Sequence, residues 1–147
     1  MTRTPGFAAF TASATPAANP GVRVIGVSMD RGAAMHAAFA AGRPVPVEEV
    51  PSLADSLGGG LGAPNRLTYA LCRALLDDIL LVSEAEIARA MRKIAVAERW
   101  MVEGAAGVAL AGLVRKAEAW RGRRVAVVLC GRNIGVDKFA EAVAQAA

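Results

Sequence analysis

RVAVVL, residues 124–129, is an almost unbroken β-branched run with no polar alternation. A strand of that kind is buried on both faces, and such strands belong to parallel sheets covered by helices. Ligands in those folds sit beyond the carboxyl ends of the strands. Cys130, Gly131, Arg132 and Asn133 therefore occupy the position where a site is expected.

Two further apolar runs, VRVIGV (22–27) and DILLV (78–82), predict strands, and the segments between them have helical character. RGAAMHAAFAAG predicts a helix closed by Gly42, and residues 43–62 predict a loop. NRLTYALCRALLD carries Leu67, Tyr69, Leu71 and Leu75 at helical spacing. Ser83 with Glu86 three residues on forms a capping box, and Ile87, Met91 and Ile94 give the helix behind it one apolar face. MVEGAAGVALAGLVRKAEAW reads as one helix ended by Gly122, and a last helix runs from about Asp137 to Ala144. Strands alternating with helices predict an α/β fold with a mainly parallel sheet flanked by helices. At 147 residues the chain suits one domain. Residues 21–147 form it, and residues 1–20 are a poorly specified lead-in.

No run of about 18 apolar residues is free of charge or proline, which argues against a membrane span. Pro5 and interrupting Thr and Ser residues deny the lead-in a secretory apolar core. Cys72 and Cys130 show no framework spacing, so the chain reads as reduced and cytoplasmic. Cys72, among Leu71, Leu75 and Leu76, reads as core. His36 is the only histidine, too few ligands for zinc. It reads as packed or surface rather than as a base, because no nucleophile motif accompanies it.

The net charge of +4 raises the question of a nucleic-acid partner. The basic residues are mostly interleaved with acids. Their one cluster, Arg115, Lys116, Arg121, Arg123 and Arg124, falls at a helix end with no aromatic platform accompanying it. It reads as a solvated terminus, and no nucleic acid is expected. LGGGLG (57–62) is open to two readings, a backbone cradle for an anion or a plain loop. Asp55, Glu103 and Cys130 are ionisable groups beside glycines or at strand ends, positions that caps and turns also explain.

The segments GVSMDRGAAM (26–35), AGRPVPVEEVPSLADSLGGGLG (41–62), NRLTYALCRALLDDILLVSEAEI (65–87), VEGAAGVALAGL (102–113) and VVLCGRN (127–133) together resemble the carboxyl-terminal half of the serine/threonine dehydratases. These are fold-type II (tryptophan synthase β-like) pyridoxal-phosphate enzymes. VEEVPSLADSLGGG and VSMDRGAAM are most similar to the hydroxyectoine-utilisation dehydratases.

The resemblance implies a part of a pyridoxal-phosphate domain. Cys130 stands where that family sets a small hydroxyl or thiol against the pyridine nitrogen. Gly131 and Asn133 complete the turn, and Arg132 replaces a frequent glycine. Glu103 matches an acid beside the cofactor ring, and Asp55 matches the segment bordering the site. The family's activity is β-elimination of water from a hydroxy-amino acid, giving a keto acid and ammonia.

Where many relatives place cation-binding acids this sequence has Ser28 and Ala34, so no metal site is expected. Also missing are the glycine tetrad and the segment bearing the Schiff-base lysine. DRGAA (30–34) imitates that segment, but Met29 stands where the lysine would be. Lys93, Lys116 and Lys138 match no cofactor lysine. PGFAAFTASATPAANPG resembles a degraded remnant of the helix after the tetrad. The resemblance thus implies a fragment, inactive alone, of a usually homo-oligomeric enzyme, needing a complementary chain. The alternative is a non-catalytic small-molecule or subunit-binding module that keeps the fold.

Overall fold

The structure is a computed structural model, and it describes residues 21–62 and 65–146. The expected lead-in, residues 1–20, lies outside the described residues. Strand β1 (Ile25–Met29) pairs in parallel with β2 (Asp78–Val82), in a register that sets Ile25 against Asp78 and Met29 against Val82. The ladder is prolonged at both ends. The Asp77 N–H donates to the Val24 carbonyl and the Asp30 N–H to the Val82 carbonyl, each at 2.9 Å.

Parallel strands need a long crossover, and here it contains helices α1 (Ala34–Ala41) and α2 (Thr68–Leu75). Gly42 ends α1 in the left-handed conformation, its N–H donating to the Phe39 carbonyl. The Phe39 ring meets Tyr69 edge to face, with centroids 6.0 Å apart, so α1 and α2 are joined by an aromatic pair. Cys72 is buried here, and that burial pushes its thiol pKa up. Leu67 and Leu71 face solvent, so helical spacing located α2 but not all of the side it buries.

Neighbouring residues of a strand point to opposite faces. A Cβ on Gly26 would lie 3.2 Å from Leu76 Cδ1, while the next residue, Val27, packs against Gly112 on the other side. The two faces of the sheet therefore meet different neighbours, Leu76 on one side and the helix that carries Gly112 on the other.

Helix α3 (Glu84–Glu98) begins at the expected capping box. Ser83 Oγ accepts from the Glu86 N–H at 3.4 Å, and Glu86 Oε2 accepts from the Ser83 N–H at 2.8 Å. Ile87, Met91 and Ile94 are 2 % exposed or less. They pack toward α4 (Gly104–Arg115), whose buried face is built from glycine, alanine and valine. Those small residues let the backbones close up: a Cβ on Gly107 would come within 3.0 Å of Met91 Cγ.

Two expectations are corrected. The helix read over residues 101–120 ends at Arg115, and Ala117–Trp120 forms a separate 3₁₀ turn. The run 124–129 is not a buried strand: it makes no ladder among the described residues, and Val125 and Val128 are 48 % and 46 % exposed. The reason is that the sheet among the described residues has two strands, and neither is paired with this segment. The last helix, α5 (Val136–Ala144), packs Ala142 into the core, and the Arg92 guanidinium on α3 reaches the Val143 carbonyl.

Candidate functional site

The carboxyl ends of β1 and β2 open toward a cluster built from three segments distant in sequence. The first is the loop 52–57, which is tied to the start of α3. Glu84 accepts from Ser52 Oγ at 2.6 Å and from the Leu53 N–H at 2.7 Å, and Ser52 Oγ in turn accepts from the Ala54 N–H. With Ala54 fully buried, the loop is pinned where Asp55 begins a short 3₁₀ turn (Asp55–Leu57). The second segment is the amino terminus of α4. Gly104 has no room for any side chain, because the backbone of Leu53 and Ala54 lies flush against it.

Glu103 holds the third segment. It occupies the N-cap position of α4, yet its side chain makes no capping bond. Instead the carboxylate turns toward residues 131–133, and Oε2 accepts from the Asn133 N–H at 3.1 Å. The Glu103 N–H donates to the Gly131 carbonyl at 3.3 Å, so one residue clasps the turn from both its backbone and its side chain. Gly131 has φ +96°, and a Cβ there would overlap the Glu103 carboxylate. The position admits only glycine on both counts.

Four of the five singled-out residues, Asp55, Glu103, Gly131 and Asn133, are thus brought into one neighbourhood, and Cys130 presents an exposed thiol immediately before the clasped turn. Two residues that sequence reasoning did not assign join them. Ser56 Oγ donates to Glu103 Oε1 at 3.4 Å, and Lys138 Nζ on α5 lies 3.1 Å from Asp55 Oδ2. Both pairings cross long stretches of chain, so no local pattern announces them.

The glycine run tests its two readings against a neighbour. Cβ positions built on Gly58 and Gly59 would face the Glu49 carboxylate at 3.5 and 3.7 Å. An acid beside these glycines opposes a second anion, which favours the plain loop. His36 is exposed on α1. No group of three or more His, Cys, Asp or Glu side chains among the described residues is placed to hold a metal ion. No helix among them is long and apolar enough to cross a membrane.

Farther along α3, burial pushes the Glu86 carboxyl pKa up, but hydrogen bonds from Ser83 and the Arg115 guanidinium at 3.0 Å outweigh it and hold the group below its ordinary value.

Residues 4–131 match the family model for pyridoxal-phosphate dependent enzymes. A putative threonine dehydratase of Sinorhizobium fredii is 51 % identical over 138 residues, which is 94 % of this chain and 42 % of that protein. An L-threonine ammonia-lyase of Thermotoga maritima is 35 % identical over 119 residues, covering 81 % of this chain and 29 % of that one. Among solved structures, a threonine deaminase isoform from Solanum lycopersicum superposes with a TM-score of 0.82 at 25 % identity, over 95 % of this chain and 40 % of its own. Maize serine racemase, at 23 % identity and a TM-score of 0.78, shares the fold. The architecture is that of fold-type II enzymes, and the chain spans about two-fifths of the length of the Sinorhizobium and Solanum proteins.

Proposed function

The chain belongs to the pyridoxal-phosphate dependent enzyme family, and from that premise we propose that it carries the ring-side part of a threonine/serine dehydratase-like ammonia-lyase, acting on a small hydroxy-amino acid. The segments VEEVPSLADSLGGG and VSMDRGAAM support assignment to the hydroxyectoine-utilisation type. A cytoplasmic setting accords with the two free cysteines.

The observation that carries the reading is the clasp between Glu103 and the turn 131–133, with Cys130 exposed beside it. The residues present fit the ring side of the cofactor: a bare glycine backbone allows close approach, and a thiol offers a neutral, weak donor. When bound, pyridoxal phosphate supplies an electron sink for the amino-acid α-carbon. Cys130 would face the ring nitrogen and leave it largely unprotonated. Glu103 would fix the turn that aims the thiol, and Asp55, joined to Lys138, would border the cofactor.

Catalysis would need a lysine and a phosphate cradle supplied by polypeptide that the relatives carry and these residues do not match. Purified chain mixed with pyridoxal phosphate is expected to give no borohydride-stable lysine adduct and no ammonia from threonine or serine. Both appearing together would overturn the need for a complement. In a complemented protein, Cys130→Ala leaving the cofactor absorbance unchanged would overturn the ring-side role.

A second reading, a non-catalytic subunit-binding module, draws support from the exposed, apolar 124–129 segment. A discrete oligomer on size exclusion with a cooperative melt favours the module, whereas aggregation favours the remnant of an enzyme.

A further inference from the structure

The basic cluster at residues 115–124 plays no part in the site above. Two of its cations reach acids: Arg115 meets Glu86, and Arg121 meets Glu118 at 2.8 Å. Lys116 and Arg123 have no acid within ion-pair distance among the described residues. With Arg23, which leads into β1, they line a shallow depression of about 210 Å³. Ile25 and Leu80 from the sheet supply apolar lining, and Trp120 is part of the same lining. The cluster, expected to lack an aromatic neighbour, thus shares this lining with one, carried by the 3₁₀ turn that replaces the end of the expected helix.

We propose that this depression binds a small planar anion, a single ring bearing one phosphate or carboxylate. The ring rests against Trp120, and the acid is held by Lys116, Arg123 and Arg23. Charge decides the sign of the ligand. Three cations line the depression against one acid, Asp78, whose Oδ1 is engaged by the Ile79 N–H at 2.8 Å. The carboxyl end of α4 contributes only about half a negative charge. Size decides its scale: pockets for drug-sized ligands run to roughly 300–1,000 Å³, so about one ring and one anionic group can be seated here. Indole and guanidinium groups together suit a flat, charged molecule better than a bare inorganic ion. The depression lies at the opposite end of α4 from Glu103, about 18 Å away along a twelve-residue helix. The inference therefore stands or falls separately from the proposed cofactor site.

Trp100→Phe leaves Trp120 as the sole indole of the full chain, and phenyl phosphate is titrated into that protein at low salt. A saturable change in Trp120 emission is expected. Inorganic phosphate should compete at least about tenfold more weakly, and Lys116→Gln with Arg123→Gln should weaken phenyl phosphate by at least about tenfold, the loss of one charge-assisted contact. A change linear in concentration, equal competition by inorganic phosphate, or unaltered affinity in the folded double variant would each overturn the proposal. Should circular dichroism show the double variant unfolded, the comparison of phenyl phosphate with inorganic phosphate on the Trp100→Phe chain decides alone.

Discussion

Ile87, Met91 and Ile94 are sealed between α3 and α4, whereas Val125 and Val128 stand about half exposed on a segment with an equally apolar sequence. The two regions differ in what surrounds them rather than in composition. Each helix of the first region finds its cover within the same 147 residues: α4 backs onto α3 through Gly107 and onto β1 through Gly112. The second region has the residues of a buried strand, and among the described residues it pairs with no strand. An apolar run specifies a kind of surface, and burial follows only where a complementary element is at hand.

The contrast is broken most directly at its packed end. Met91→Ala removes a fully buried side chain lying against Gly107 and should cost about 2–5 kcal/mol in urea denaturation. A loss within about 0.5 kcal/mol would mean that the α3–α4 pair is no better packed than the open segment. Gly112→Ala probes the same region from the side of excess volume. Its Cβ would sit 2.8 Å from Val27 Cγ2 on a stiff strand, an overlap worth about 1–3 kcal/mol. Helix propensity returns up to about 1 kcal/mol. The expected sum is destabilising, and a stabilised variant would show that α4 has room to move off the sheet.

Ser83→Ala tests the hydrogen bonds that start α3, and should lower stability by about 1 kcal/mol. Its pH dependence sharpens the test. The Glu86 carboxyl is lowered in the folded chain, so its contribution is present above its ordinary value of 4.5 and is lost as pH falls through the folded value. The gap between the parent chain and Ser83→Ala should therefore be widest above pH 4.5 and narrow below it. A gap that stays constant into acid would show that Glu86 gains nothing from Ser83.

These contrasts also explain what the sequence disclosed. Ser83 with Glu86, Gly42 and the Ile87–Met91–Ile94 stripe were legible because cap, stop signal and apolar face each lie within a few residues of chain. β2 was legible to the residue, since its five apolar-rich positions are bounded by Asp77 and Ser83. The candidate site was not legible in that way. Position beyond an apolar run pointed to Cys130, Gly131 and Asn133, and Asp55 and Glu103 stood out as acids near glycines, but their roles came only through family resemblance, and residue spacing gives no reason why Glu103 should abandon its helix to grip Gly131 and Asn133. Ser56 went unnoticed for the same cause, Lys138 was weighed only as a cofactor lysine, and Trp120 was hidden in what reads as continuous helix. The run 124–129 was misjudged because its letters describe a strand's preference and say nothing of its neighbours.

The smallest expected effect falls at the open end of the comparison. Threonine has nearly the shape of valine and adds one hydroxyl, which costs about 1–3 kcal/mol when buried without a partner and almost nothing in water. Val125→Thr and Val128→Thr in the isolated chain should each change stability by less than about 0.5 kcal/mol, because both positions already meet solvent. A loss above about 1 kcal/mol would place the segment in a covered strand in solution and erase the difference between the two regions. If a complementary polypeptide covers residues 124–129, the same substitutions should weaken its association while leaving the isolated chain's unfolding midpoint unmoved. A segment indifferent to hydroxyls when alone and sensitive when joined is one whose burial comes from its partner.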